Sequence, residues 1–310
     1  MKTKSTQAQS PTLESRLPHL GKPHKPQHGY THSRLHKRFS LQGKLALIGL
    51  ALLALLLLLT PIFSPYAPDS MDLSQRFAPP SSTHWLGCDH LGRDMLTRLV
   101  YGAYISLGAS ACIIILAMVA GIGIGWASGM LGGVWDRLIM RVCDVFLSLP
   151  TLVLALFFIG VLGSGLANVI IAIALTHWAF YARIARSLTQ SLRAQEYIAA
   201  SYMQGVSFWG NFWSNFAPTI TLHILVLATM DIGHIMLHIA GLSFIGLGVQ
   251  PPLAEWGVML GDMREYLYSA PELLLYPGVA LFVCVALFSL LGDSLQRYFS
   301  LHLEDMYHGA

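Results

Sequence analysis

Six apolar stretches, separated by shorter polar segments, run through most of the chain. An α-helix needs about 20 mainly apolar residues to cross the roughly 30 Å of hydrocarbon in a bilayer. The predicted spans are Leu45–Phe63, Ile105–Met130, Val142–Leu162, Leu166–Tyr181, Ile220–Leu242 and Leu273–Leu291. Pro150 is expected to kink the third span, because proline removes a helical hydrogen bond. The pattern therefore predicts an all-α polytopic membrane protein with six transmembrane helices.

Lys and Arg are concentrated in alternate connecting segments. The first 44 residues hold nine of them against one Glu, which leaves the rest of the chain net negative. The arginines that flank later spans are Arg137, Arg141, Arg183, Arg186, Arg193 and Arg297. Because positively charged loops stay in the cytoplasm, both termini and the short turn Leu131–Arg141 are predicted inside.

The intervening segments are predicted outside. They are residues 64–100, the tight turn Gly163–Gly165 and the acidic segment Phe244–Ala270. The amphipathic run Met95–Tyr104 is expected to lie at the membrane interface, ahead of the second span. Within that span, Gly121, Gly125 and Gly129 form a small-xxx-small face, which predicts close packing against another helix.

The composition supports this class and excludes others. Of 310 residues, 54% are hydrophobic and 11% are charged, whereas soluble domains carry about 25% charged residues. Four cysteines (Cys88, Cys112, Cys143 and Cys284) lack CxxC spacing, so neither a zinc site nor a disulfide framework is predicted. The GxxxxGK[ST] phosphate loop and the HExxH and GxSxG motifs are absent. The chain is therefore not expected to be an ATPase or another enzyme by itself.

Residues 1–40 lack apolar periodicity and are rich in Pro, Ser, His and Lys. They predict a disordered cytoplasmic tail ahead of a membrane domain at residues 41–310. Histidines recur in the tail, at His19, His24, His28, His32 and His36. Two interpretations stay open: a tail that buffers metal ions, or a solvated basic tail that obeys the positive-inside rule. No small-x-small cleavage pattern follows the first span, which is interpreted as an uncleaved anchor.

The fifth span carries ionisable residues on one face. At about 100° per residue, Asp231, His234, His238 and His223 fall within roughly 80° of the helix circumference. Such groups are costly in a membrane and normally face a bundle interior or a cavity. Imidazole and carboxylate also suit Ni²⁺, so these residues are candidates for a metal pathway, with His223 the weaker candidate. The alternatives are hydrogen bonds to neighbouring helices and an intramembrane metalloenzyme, which would lack an evident general base. His177, near the end of the fourth span, is expected at the membrane interface.

A polar and aromatic interruption, residues 195–218, separates the fourth and fifth spans. It begins with Glu196 and the small residues Ala199, Ala200 and Ser201, which allow another surface to approach closely. Gly205 permits a turn, and Pro218 can start the next helix. A short helix-turn-helix that docks a cytoplasmic partner is predicted. An ordinary connecting loop is the alternative.

This interruption resembles the coupling loop of ABC-importer permeases. Gly205 and Pro218 match the family pattern in register. Ala199 stands where the family has Glu, and Asn215 and Ala217 stand where it has Ile and Leu. Glu196, one turn upstream of Ala199, is a candidate for the acidic role.

A second motif is more specific. The run Leu86–Asp94, LGCDHLGRD, resembles the signature of C-type subunits in the peptide/nickel branch of these permeases. Asp89, Arg93 and Asp94 are expected to form ion pairs at a helix start, with Gly92 as a hinge. These residues are interpreted as structural rather than catalytic.

The substrate class is suggested by a third resemblance. The run SFIGLGVQPPLAEWG is similar to the branch as a whole, whereas Asp231-Ile232-Gly233-His234 with His238 resembles its nickel-uptake members. The run NVIIAIALTHWAFYAR, from Asn168, is also similar to that subunit. Permeases for di- or oligopeptides, or for a metal–opine chelate, remain the alternatives.

The resemblance, which covers about residues 45–305, implies a type I ABC-importer permease fold in the bacterial inner membrane. It implies a second permease subunit, two cytoplasmic ATPases that hydrolyse ATP, and an extracytoplasmic solute-binding protein. Ni²⁺ would be transient cargo, with no permanently bound cofactor and no nucleic-acid partner. Phe244–Ala270 is expected to line the external mouth and to meet the binding protein through Glu255 and Asp262. A solvated loop that caps helix ends is the alternative for that segment.

Overall fold

Long α-helices make up most of the computed structural model, which describes residues 40–63 and 65–308. The helices are α1 (Leu41–Phe63), α2 (Met95–Leu131), α3 (Gly133–Ser148), α4 (Thr151–Leu162), α5 (Leu166–Arg193), α6 (Glu196–Met203), α7 (Phe208–Asn211), α8 (Ala217–Phe244), α9 (Trp256–Met263) and α10 (Glu272–His308). Five helical segments are long and apolar enough to cross a membrane, or six if α3 and α4 count as one. The predicted all-α membrane fold is confirmed. The predicted tail and its histidines lie outside the described residues.

Several helices continue beyond the predicted spans. The helix α5 runs to Arg193 rather than ending at Tyr181, and α10 begins at Glu272 and runs to His308. Hydropathy marks the part of a helix that suits hydrocarbon, whereas a helix ends where its backbone hydrogen bonds are capped or broken. The polar extensions contain good helix formers such as Arg, Gln and Leu, so nothing in them stops the helix.

The expectation that Met95–Tyr104 lies at the membrane interface is wrong. These residues form the first turns of α2, which is continuous to Leu131. Asp94 caps the helix, because its carboxylate accepts hydrogen bonds from the Thr97 backbone N–H at 2.8 Å and the Thr97 hydroxyl at 2.6 Å. The side chains of Met95 and Arg98 are buried, so this part of α2 packs inside the protein instead of lying on a surface.

The third predicted span is also corrected. The break occurs at Pro150 as expected, but α3 and α4 are separate helices bent by 95° rather than one kinked helix. Leu149 adopts an extended conformation (φ −101°, ψ 141°), because a following proline disfavours helical geometry. The predicted turn Leu131–Arg141 is mostly helical, and only Gly132 separates α2 from α3. Gly132 and the first residue of α3, Gly133, both have positive φ.

The predicted small-xxx-small face of α2 is confirmed. A Cβ on Gly121 would lie 2.5 Å from the Cβ of Tyr181, and a Cβ on Gly129 would lie 2.8 Å from that of Thr189. A Cβ on Gly125 would collide with the backbone oxygen of Ala182. Glycine therefore allows α2 to approach the backbone of α5. The contact between these two helices is the most extensive in the described fold.

A buried ion-pair network stabilises the segment before α2 that is predicted to be external. The Arg93 guanidinium lies 2.6 Å from the Asp89 carboxylate and 3.2 Å from that of Asp262, beyond α8. Of the predicted ion pairs at the helix start, that of Arg93 with Asp89 is present, whereas the Asp94 carboxylate caps α2 and lies 2.8 Å from His84 Nδ1. Gly92 is a tight turn rather than a hinge, since its φ is +74° and a Cβ would collide with the backbone of Asp72.

Three of the four cysteines are buried. Cys88, Cys143 and Cys284 are inaccessible, whereas Cys112 is exposed on α2, and all four are free thiols. Cys88 lies in the segment between α1 and α2, where burial raises the pKa of its thiol to about 11, with the nearby Asp94 and Asp89 carboxylates adding to the effect. Its nucleophilic thiolate form is therefore scarce at neutral pH.

Candidate functional site

Asp231 and His234 lie on α8, in the group of ionisable residues that the sequence places on one helix face. The Tyr181 hydroxyl of α5 donates a hydrogen bond of 2.7 Å to Asp231 Oδ2. His234 Nδ1 is 4.0 Å from Asp231 Oδ1, and the His234 side chain is 66% exposed. The Asp231 carboxylate is thus oriented by a side chain of α5, while the exposed His234 ring can contact another molecule.

His238 faces a second histidine across the α5–α8 contact. Its ring centroid lies 5.7 Å from that of His177, at an interplanar angle of 64°. His177 is buried, and its Nδ1 is 3.1 Å from the backbone oxygen of Ile173. His177 thus packs against α8 inside the chain, and its position at the membrane interface stays a prediction. The sequence contained a signal for this contact: His177 lies four residues before Tyr181, and residues at that spacing share one helix face.

The fourth candidate, His223, lies apart from this group. It is eight residues before Asp231, or about 12 Å along the helix. Its Nδ1 lies 2.8 Å from the backbone oxygen of Thr219. Across the residues that the structure describes, no three His, Cys, Asp or Glu side chains come together as a metal-binding group. The arrangement offers separated donors rather than a complete coordination shell.

The segment 195–218 forms the predicted helix-turn-helix. Gly205 follows α6 with φ +84°, and the Ser207 hydroxyl caps α7 by accepting a bond of 3.0 Å from the Gly210 N–H. A π-helical turn, Phe212–Phe216, joins α7 to α8, which has Pro218 in its first turn. The surface of this segment exposes Glu196, Ala199, Ala200, Met203, Trp209 and Trp213, whereas Ser201 is half-buried.

An aromatic cluster connects this segment to α2. The Trp126 ring lies 4.3 Å from that of Phe212, 4.9 Å from that of Phe208 and 5.5 Å from that of Trp209, measured between centroids. The Ser201 hydroxyl is 2.9 Å from the side-chain oxygen of buried Asn211, which ties α6 to α7. The segment is therefore packed against the spanning helices rather than hanging free of them.

In the segment after α8, Glu255 is not exposed for the predicted contact with a binding protein. It has no exposed surface in this structure. Its carboxylate caps α9 by accepting from the Val258 N–H at 3.1 Å and accepts from the Ser106 hydroxyl at 3.0 Å. Asp262 keeps 19% of its side-chain surface but is paired with Arg93.

Ser106→Ala is expected to lower stability moderately, because it leaves one oxygen of the buried Glu255 carboxylate without its hydroxyl donor. An unsatisfied buried polar atom costs about 1–3 kcal/mol. A lower melting temperature of the purified protein would show this loss. Thr83→Ala is the control, since Thr83 is exposed and, among the described residues, its hydroxyl hydrogen-bonds only the equally exposed Ser81. Equal melting temperatures for both variants would contradict the structural role of Glu255.

Spanning helices, polar groups held between α5 and α8, and an exposed helical segment packed on the spans together define a membrane transport protein without an ATP-binding motif. Comparison with known families refines this class. A model described as the inner membrane component of binding-protein-dependent transport systems matches residues 121–304. A model of the N-terminal transmembrane domain of oligopeptide transport permease C matches residues 37–80. The chain belongs to the binding-protein-dependent permease family, and it is a multi-pass inner membrane component.

Individual relatives agree with this assignment. The nickel transport system permease protein NikC of Escherichia coli K12 is 48% identical over 84% of this chain and 94% of its own length. The glutathione transport system permease protein GsiD of Pectobacterium atrosepticum is 38% identical, over 75% and 77%. The dipeptide transport system permease protein DppC of Alkalihalophilus pseudofirmus is 37% identical, over 82% and 85%. Identity is thus about ten percentage points higher to the nickel permease than to the other two.

Proposed function

We propose that this chain is a permease subunit of an ATP-driven importer of nickel, either free or chelated. The 48% identity to a nickel permease over nearly that protein's whole length carries the proposal. The chemistry of α8 supports it, because neutral imidazoles and a carboxylate are suitable ligands for Ni²⁺. Asp231, His234 and His238 line the translocation pathway, and His223 is a weaker candidate closer to the segment 195–218.

The pathway forms between this chain and a second, homologous permease subunit. The exposed His234 ring supports this arrangement, because it can face the second subunit. The incomplete set of ligands supports a pathway, because an ion in transit must leave as readily as it enters. Two ATPases dock on the segment 195–218 in the cytoplasm, where both termini also lie. An extracytoplasmic binding protein delivers the cargo to the opposite side. Exposed residues near Asp262, such as Tyr268 at 98% exposure, suit that contact better than buried Glu255.

Uptake of Ni²⁺ tests the proposal. Cells lacking this chain are expected to lose high-affinity nickel uptake and to regain it when the chain is supplied. Dipeptide uptake is the control, because the similarity to GsiD and DppC makes a peptide importer the second candidate function. Restored dipeptide uptake without restored nickel uptake would reject the nickel assignment.

His234→Gln with His238→Gln is expected to reduce nickel uptake about tenfold or more at limiting nickel, because changing even the residues that orient metal ligands typically costs about 10–100-fold. Gln keeps a polar side chain but ligates metal more weakly than imidazole. Abundance of the variant in the membrane is measured alongside, so that loss of protein is not taken for loss of transport. Uptake at the parental rate and abundance would exclude these histidines as ligands.

A further inference from the structure

We infer that His177 of α5 and His238 of α8 together form a binding step for a borderline divalent cation such as Ni²⁺, Co²⁺ or Zn²⁺. The inference rests on the proposed function and adds a residue outside α8. It places the cation between two helices of this chain, so that His238 ligates in concert with His177 as well as facing the pathway. Three independent features of the two rings support it.

The first feature is the separation of the rings. A metal–nitrogen bond of about 2.1 Å, added to the ring radius, puts an ion roughly 3.2 Å from a ring centroid. Two imidazoles that share one ion therefore have centroids no more than roughly 6.4 Å apart. The observed 5.7 Å between His177 and His238 lies within this limit. The tilt of 64° between the rings also differs from a parallel stack, in which a single ion could not lie in the planes of both rings.

The second feature is the tautomer that we assign to His177. Its Nδ1 lies 3.1 Å from the Ile173 backbone oxygen and 3.1 Å from the Thr176 hydroxyl. The Thr176 hydroxyl donates to the same carbonyl at 2.7 Å, and the carbonyl can only accept, so we assign the proton of the neutral ring to Nδ1. Its Nε2 then carries the lone pair. Histidines that bind metals commonly donate their other N–H to a carbonyl or carboxylate in this way, which orients the ring and raises its basicity.

The third feature is an unsatisfied atom. His238 Nδ1 is buried and has no hydrogen-bond partner in the described part of the chain. Buried polar atoms are usually satisfied, and one left alone costs free energy. A cation, or a water that it carries, would satisfy this ring while it is bound. The neighbouring Asp231 carboxylate, held by Tyr181 at 2.7 Å, contributes negative charge without completing the shell.

A site with only two imidazole ligands from the protein binds an ion weakly. The remaining positions around the ion belong to water or to a chelator, so the ion can leave within a transport cycle. Imidazole favours Ni²⁺, Co²⁺ and Zn²⁺, whereas Mg²⁺ and Ca²⁺ favour oxygen ligands. The pair therefore also selects against the abundant alkaline-earth cations.

A matched pair of variants, His177→Cys and His177→Ser, tests the inference. The two new side chains differ by one atom, but only the thiolate is a strong ligand for soft metals. Binding of Ni²⁺ and of Cd²⁺ is measured on the full chain purified together with the subunits that assemble with it. We expect H177S to weaken Ni²⁺ binding about tenfold or more. We expect H177C to bind Cd²⁺ at least about tenfold more tightly than H177S.

Parental Ni²⁺ affinity in H177S, or equal Cd²⁺ affinity in H177S and H177C, would overturn the inference. The same substitutions at His238 provide a second test if the His177 variants fail to accumulate. Nickel uptake by the parental complex distinguishes failure of the histidine pair from failure of the proposed function. Normal uptake with an unchanged H177S rejects only the histidine pair, whereas a parental complex that carries no nickel rejects the proposed function and the pair with it.

Discussion

Gly125→Val is expected to prevent stable folding, whereas Gly123→Val, two residues away on the same helix, is expected to be tolerated. A Cβ at Gly125 would meet the backbone oxygen of Ala182 and the Cβ of Ala185 at under 3 Å. Neither the α5 backbone nor an alanine side chain can rotate away. Overpacking of a core typically costs 1–3 kcal/mol, and a collision with backbone is expected to cost about 3 kcal/mol or more.

The comparison with Gly123 isolates the helix contact from the intrinsic effect of valine. A Cβ at Gly123 meets nothing within 4 Å, and both variants place the same β-branched residue in the same helix. Membrane abundance and the melting temperature in detergent are the measurements. Similar melting temperatures for G125V and the parent would contradict the close packing of α2 on α5.

Gly205→Val is expected to abolish ATP-driven transport while the chain still inserts and accumulates. Gly205 has φ +84°, a conformation that costs an ordinary residue about 1–2 kcal/mol and a β-branched residue more. The valine therefore changes the angle between α6 and α7 rather than filling a space, because a Cβ at this position meets nothing within 4 Å. The proposed docking surface for the ATPases would lose its shape.

Gly205→Asn is the matched control, since Asn adopts positive φ more readily than other residues with a side chain. We expect G205N to retain most transport and G205V to lose it at equal abundance. Uptake and transport-coupled ATP hydrolysis of the assembled importer are the measurements. Parental coupling in G205V would show that the turn is not needed for docking.

Local signals in the sequence were sufficient for much of the fold. Hydropathy located the spanning helices, and the spacing of Gly121, Gly125 and Gly129 predicted a close helix contact. The LGCDHLGRD run predicted an ion pair that the structure contains. Each of these features depends on residues that are near one another in the chain, which is why pattern and chemistry alone could locate them.

Features that depend on distant partners could not be predicted in the same way. The period of α8 placed Asp231 and His238 on one face but did not say which helix they meet. The acidic charge of Glu255 suggested an exposed surface, yet Ser106, 149 residues earlier, lies 3.0 Å from it and the carboxylate is buried. Proline predicted the break at residue 150 but not a bend of 95°, because α3 and α4 each pack against α5, a contact that the local sequence does not reveal.

The burial of three thiols has a practical consequence for labelling studies. With a pKa of about 11, Cys88 is roughly one part in ten thousand thiolate at pH 7. Cys143 and Cys284 are inaccessible, and Cys112 lies within the apolar α2, where water-soluble maleimides react poorly. A cysteine introduced at exposed Tyr268 should therefore dominate the signal of a fluorescent or spin-label probe. Distances to a labelled partner subunit can then be measured with all four native cysteines left in place.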